Sequence, residues 1–406
     1  MEAASLERSV VATEVTNIAC HANAEAEAGW VIADMWSETE MDRLSMLLTM
    51  LWHKKADELK LKKVMKMDVR GEELDWDIDD KRVNQFRKSW IAEWSSKWGS
   101  LEDVTMINSM PFTYHRAPPC AHPCGTLQIY SAKVAGLSGG FKWPLDVFGM
   151  VAVRDPIDQN LNIIFYRTRH SCQTLTEKDP YLALTGPTRA VLMTDPSLGP
   201  VTIEAELKVK RNTESEDQYL SFLAAPLMYS SGSGPCMFDN HYSGYTSKNS
   251  TLKVTLAKVA SSVEATIFIQ VIEGSWPDGL RGQITAHLFD IEPEKVVLLE
   301  FGDDNGVPVS GDGDVELSRR VVSVAVNEEL VISYNVCQDG KMVAEQLVVF
   351  KAAEAGRSFA ILQLGTCKLE VLVAWSVVSP EPDGTAACNV PHMTGVGIDA
   401  PEYRIL

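Results

Sequence analysis

From Thr126 onward the chain is cut into short segments that alternate apolar and polar residues, each closed by Gly, Pro, Asp or Asn. LQIYSAKVAG, VFGMVAVRD, LNIIFYRTR, ALTGPTRAVLMTD and VTIEAELKVK come first. TLKVTLAKV, VEATIFIQVIEG, GQITAHLFD, KVVLLEFGDD, RRVVSVAVNEELVISYNVC, LVVFKA and KLEVLVAWSVV follow. A period of two puts alternate side chains on opposite faces of a strand. Turn residues recurring at roughly 8–12 residues predict hairpins of a sandwich or barrel. No long amphipathic helix interrupts the series, which disfavours a parallel sheet built from crossover helices. The pattern predicts a mainly β protein, an antiparallel β-sandwich preceded by a helical N-terminal region. It leaves open one large β unit or two small ones, divided by the Ser/Gly-rich stretch 228–250.

Upstream the period changes. Residues 1–35 are rich in Ala and Glu and poor in large apolar groups, which reads as a mobile leader. Residues 36–107 read as the helical region. Ser37-Glu38-Thr39-Glu40 is a capping-box pattern, and Leu44, Leu47, Leu48 and Leu51 then fall at helical spacing, predicting a helix over 37–68. A second helix is expected from about Asp79 to Trp98, with Val83, Phe86, Trp90, Trp94 and Trp98 on one stripe and Gly99 as its stop. Residues 108–378 read as the β-sandwich domain, entered through the Pro- and Cys-rich run NSMPFTYHRAPPCAHPCG, and 379–406 as a flexible tail.

Charge narrows the partners. With 37 basic against 55 acidic residues the net charge is −18. Such a chain repels phosphate backbones and anionic lipid, so neither nucleic acid nor membrane is expected as a ligand. The start, MEAASLERSV, lacks a basic segment followed by an apolar one, and no stretch approaches the ~18 apolar residues that span a bilayer. A cytoplasmic or nuclear protein is expected, with an unidentified protein partner and no cofactor. Most of the eight cysteines are scattered singly and read as reduced thiols.

Four constellations carry possible chemistry. His115, Cys120, His122 and Cys124 lie within ten residues and offer the imidazole and thiolate ligands of zinc, although the spacing is unlike paired Cys-x2-Cys sites. Asp303, Asp304, Asn305, Asp312, Asp314 and Glu316 offer oxygens for calcium, but without the alternation and central Gly of a calcium loop; they read as β-turns. Trp90, Trp94 and Trp98 form either a core stripe or a partner-binding face. Glu354-Ala355-Gly356-Arg357 is similar to the Glu-Ala-x-Arg element of ribosome-inactivating N-glycosidases, where Glu stabilises a ribosyl cation and Arg assists the leaving adenine. Here its flanks are strand-like, so a hairpin connection is expected. His170 and Cys172 are expected on one face of a strand, without a third catalytic member. The chain has neither a Gly-x-Ser-x-Gly elbow nor a phosphate loop.

The stretch from Leu127 to Val191, carrying WPLDVFG at 143–149, VRD at 153–155 and LTGPTRA at 184–190, resembles a plant family, a domain of unknown function expanded in grasses. The later VEATIFIQVIEGSWPDGLRG, LSRRVVSVAV and CKLEVLVAWSVV are similar to it too, so the resemblance covers about residues 110–378. In cereals that domain is found alone, after variable N-terminal regions, or joined to a ribosome-inactivating N-glycosidase domain. The resemblance implies a plant protein, with a role in stress, defence or reproductive toxicity by association. It transfers no catalytic residue. Within its signatures, Arg154 and Asp155 are expected to pair at a strand end; together with Asp158 and Arg189 they form either structural ion pairs or a binding site. The reading that follows is a non-enzymatic intracellular interaction module. Its alternatives are a toxin-like rRNA N-glycosidase acting through Glu354 and Arg357, and a calcium- or carbohydrate-binding sandwich.

Overall fold

A computed structural model describes residues 77–193, 201–227, 238–247, 249–276, 280–288, 294–302, 309–338 and 341–381. The expected leader, the helix over 37–68, Asp303, Asp304, Asn305 and residues 382–406 lie outside them. Helix α1 spans Asp77–Trp98. Gly99 ends it in a left-handed conformation (φ 89°), its N–H reaching the Ser95 carbonyl at 3.1 Å. Sixteen strands follow among the described residues: β1 Cys124–Leu137, β2 Leu145–Arg154, β3 Asn162–Arg167, β4 Gln173–Leu175, β5 Val191–Leu192, β6 Val201–Val209, β7 Gln218–Leu227, β8 Phe238–Thr246, β9 Ser250–Glu273, β10 Arg281–Leu288, β11 Val296–Phe301, β12 Val321–Ala325, β13 Glu329–Gln338, β14 Lys341–Lys351, β15 Ala355–Leu364 and β16 Cys367–Ser376.

Every pairing between these strands is antiparallel. They form three sheets. The largest runs β15-β16-β9-β1-β5, with β8 and β12 also paired to β9. A four-stranded sheet runs β11-β10-β13-β14, and a five-stranded sheet runs β3-β2-β6-β7 with β4 on β2. The protein is thus mainly β and antiparallel, with sheets packed as sandwiches.

Two cores fill the spaces between sheets. In the first, Leu127, Ile129 and Val134 of β1 and Leu252, Val254 and Leu256 of β9 meet Val147, Val151, Phe165, Ile203 and Leu207 of the five-stranded sheet. In the second, Val263, Ala265, Ile267 and Ile269 of β9 and Val371, Val373 and Trp375 of β16 meet Ile284, Leu298, Ile332 and Phe350 of the four-stranded sheet. The two cores share the largest sheet.

The shared strand is β9, 24 residues long. The sequence suggests two strands here, broken near Ser261-Ser262. The chain instead stays in the ladder: Ser261 takes a positive φ of 44°, and the register with β1 slips between Cys124 and Thr126. Such a bulge absorbs one residue and flips which side chains face a core. The core-facing positions of β9 are accordingly even from Leu252 to Leu256 and odd from Val263 to Ile269.

A second bulge lies opposite. Tyr130 is the extra residue of β1 between the pairs Ile129–Leu256 and Ser131–Thr255. The buried guanidinium of Arg319 donates to the carbonyls of Ile129, Tyr130 and Gly186. Burial pulls the pKa of Arg319 down to about 10, but its planar fork of donors satisfies carbonyls from both parts of the fold.

Candidate functional site

The signature residues build a buried charge network. Arg154 ends β2 and is 1% exposed. It pairs with Glu204 of β6, donates to the carbonyls of Gln159 (2.7 Å) and Leu101 (2.6 Å), and lies 4.9 Å from the ring of Trp90. Trp90 donates its own N–H to the Gln159 carbonyl at 2.9 Å. Arg154 and Asp155 were expected to pair with each other. Consecutive residues at a strand end point opposite ways, and each finds another partner.

Asp155 accepts a two-pronged contact from Arg189 at 2.6 and 2.9 Å and the Leu192 amide at 2.8 Å. Arg189 also donates to Asp158 at 3.0 Å, and Thr105 donates to the same carboxylate. Glu264 of β9 completes the group by accepting the Met110 and Ala190 amides, each at 2.6 Å. Burial is the largest influence on Glu264 and pushes its carboxyl up. The charged groups of the network are all closed off from solvent. The network fixes the lead-in to β1, the loop after β2 and the segment before β5 on one another; it presents no reactive atom outward.

The segment around Arg189 was expected to be a strand. Only Val191–Leu192 joins a ladder. A Cβ at Gly186 would meet the Ile163 carbonyl oxygen at 1.7 Å, so the backbones touch there and the chain crosses β3 rather than pairing with it.

Beside this network is a cleft of about 290 Å³ between α1, the loop after it and the outer face of the five-stranded sheet. Its apolar surface comes from Phe148 and Met150 of β2 with Leu101 and Leu161. Tyr166 of β3, 55% exposed, stands beside its register partner Met150. The rim carries Arg87 of α1, Glu102, and Glu206 and Lys208 of β6. Arg87 pairs with Glu206 at 2.9 Å and lies 5.1 Å over the Phe222 ring. Glu206 also accepts the Tyr219 hydroxyl at 3.2 Å, and Lys208 lies 4.0 Å from it and 4.5 Å over the Tyr219 ring. The Ser100 hydroxyl foremost, then its own amide and the charges of Arg87 and Arg154, hold the Glu102 carboxyl below the usual range. The Nε of Arg87 is buried and makes no hydrogen bond.

The geometry of the sheet exposes these rim groups. Gly149 takes φ 113°, and a Cβ there would meet the Glu206 carbonyl at 2.1 Å, so β2 and β6 approach closely beneath the cleft. The sequence reading missed Arg87, Tyr166, Glu204, Glu206 and Lys208. The signal was present in VTIEAELKVK: Glu204, Glu206 and Lys208 are spaced by two and share one face of a strand.

The other predicted residues are dispersed. Trp90 is buried at 2%, whereas Trp94 and Trp98 are half-buried, with Lys97 4.4 Å over Trp98. His115 is exposed, Cys120 contacts the Ser379 hydroxyl, and His122 bonds the Pro123 carbonyl. Cys124 is buried, and burial, helped by the charge of Asp155, pushes its thiol up to about 12. No group of three or more His, Cys, Asp or Glu among the described residues is placed to hold a metal ion. Glu354 lies in the connection from β14 to β15 and Arg357 near the start of β15, both exposed. Arg357 lies 5.4 Å over Tyr114 and 5.7 Å over Phe359. His170 sits in a 3-10 turn over Arg169–Ser171 and Cys172 just after it, rather than on a strand. Among the described residues no helix is long and apolar enough to cross a membrane.

Comparison with known proteins gives one family. The model of a domain of unknown function, DUF6598, matches residues 126–373, more than half of the chain. No curated protein matches the sequence. Among solved structures the chain is similar to the two consecutive C2 domains of Extended-Synaptotagmin 2, at 10% identity over 68% of this chain and 97% of that one, with a TM-score of 0.21. It is also similar to human GIVD cytosolic phospholipase A2, at 8% identity over 62% of this chain and 33% of that one, with a TM-score of 0.20. Likeness at this level bears on neither ligand nor activity.

Proposed function

The chain belongs to the family of the domain of unknown function DUF6598, and we propose that within it the chain acts as a non-enzymatic binding module whose contact site is the cleft between α1 and the five-stranded sheet. The observation that carries this reading is the state of the cleft's charges. Arg87, Glu206 and Lys208 are paired with one another and seated on aromatic rings, so they are held in fixed positions. Fixed polar groups around an apolar floor suit recognition. The groups with large shifts elsewhere, Cys124, Arg189 and Arg319, are closed off from solvent, where they cannot meet a substrate. The resemblance to a plant family supports the finer reading, a cytoplasmic or nuclear protein with a role in stress or defence.

The test is retention of a partner from an extract of the source tissue by the immobilised chain. Retention by the native chain and its loss with Tyr166→Ala is the expected result. Release of adenine from ribosomes by the native protein, abolished in Glu354→Gln, would overturn the reading in favour of an rRNA N-glycosidase.

A further inference from the structure

We propose that the ligand of this cleft is a neutral saccharide, stacked on Tyr166 and hydrogen-bonded by Arg87, Glu206 and Glu102; the inference rests on the cleft being the module's contact site. Each other class of ligand meets a specific obstacle. An anion needs an available cation, but Arg87 is committed to Glu206 and Lys208 is shared between Glu206 and the Tyr219 ring. A cation needs an available carboxylate, but Glu206 already takes Arg87 and the Tyr219 hydroxyl, and Glu102 takes the Ser100 hydroxyl. The lining as a whole balances Arg87, Arg154 and Lys208 against Glu102, Glu204 and Glu206. That local neutrality stands out on a chain of net charge −18. A purely apolar ligand would seal Arg87 Nε, already without an acceptor, further from water.

What remains is an uncharged molecule with one apolar face and several hydroxyls. A pyranose ring has both. Its C–H face packs on an aromatic ring, and Tyr166 presents one, 55% exposed, next to Met150. A hydroxyl oxygen accepts from Arg87 Nε while its proton goes to a carboxylate, because carboxylates keep unused lone pairs after one or two bonds. The planar guanidinium and carboxylate match a pair of neighbouring hydroxyls. The volume, about 290 Å³, is at the small end of the roughly 300–1,000 Å³ typical of ligand sites and suits one or two sugar rings.

The experiment is saturation-transfer NMR on the full chain with neutral methyl glycosides and their di- and trisaccharides, and with glucose 6-phosphate and glucosamine as charged probes. At least one neutral saccharide is expected to bind, more tightly than either charged probe. Tyr166→Ala, which removes an exposed ring and leaves the thermal midpoint unchanged, is expected to weaken it by at least about tenfold, and Arg87→Met by a similar factor. A charged probe that binds best, with the same dependence on Tyr166, overturns the neutral class. No binding by any probe, with partner retention still lost in Tyr166→Ala, overturns the saccharide and keeps the contact site. Neither binding nor loss of retention overturns both.

Discussion

Arg154, Arg189 and Arg319 are all buried, and each is satisfied differently. Arg189 faces three carboxylates, Arg154 faces one carboxylate, two carbonyls and an indole, and Arg319 faces carbonyls alone. Removing a charge from water costs several kcal/mol, which only pairing and hydrogen bonds offset. Residues of this kind therefore specify which segments meet. Cys124 is the neutral counterpart. Its thiol titrates near 9.0 when unfolded and is pushed up to about 12 in the fold by burial. The folded state thus holds the proton more tightly, and its stabilising share is complete below pH 9 and is lost as pH rises toward 12. Between pH 8 and 10, below the main titration of Arg319, that share falls by about 1 kcal/mol. Urea midpoints at both pH values check this: the native protein should lose more stability than Cys124→Ala over the same interval.

At the scale of elements, α1 is held by few contacts. Val83 and Trp90 are its buried side chains among those described, Ile91 is exposed, and the helix packs against β7. Trp90 reaches through to Arg154 and Gln159, so one side chain joins the helix to the charge network. Truncating a buried aromatic costs about 3–5 kcal/mol. Trp90→Ala should therefore release α1 while the sheets stay folded. Hydrogen exchange would show faster exchange across Asp77–Trp98 with β6 unchanged; equal acceleration in both would mean that the helix is part of the main core.

For the whole molecule, two cores on one sheet raise the question of whether they unfold separately. The continuous β9 and the Arg319 contacts to Gly186, Ile129 and Tyr130 argue for a single unit. Native-state hydrogen exchange should give β6, in the first core, and β13, in the second, the same opening free energy. Arg319→Met leaves three carbonyls without that donor and should lower both values together by about 1–3 kcal/mol. A drop confined to one core would show that the cores are independent.

Much of this architecture is written in local pattern. Alternation with period two, closed by turn residues, identified nearly every strand and the antiparallel class, because face and turn are decided within a few residues. The stripe Val83 to Trp98 and Gly99 located α1 to within two residues at its start. Local pattern failed where a long-range contact decided the conformation. Ser261 reads as a turn and lies inside β9, because neighbouring strands on both sides hold it in the ladder. Residues 184–190 read as a strand and cross β3, because Gly186 touches Ile163 and Arg189 is drawn to Asp155. The cleft was hidden for the same reason: Arg87, Tyr166 and Glu206 come from three distant segments, and only the packing of α1 on the sheet brings them together. The sequence by itself determined strands, turns and the outward face of each; the tertiary structure decided which charges are buried, which are shared and where a ligand can enter, since those depend on partners far along the chain.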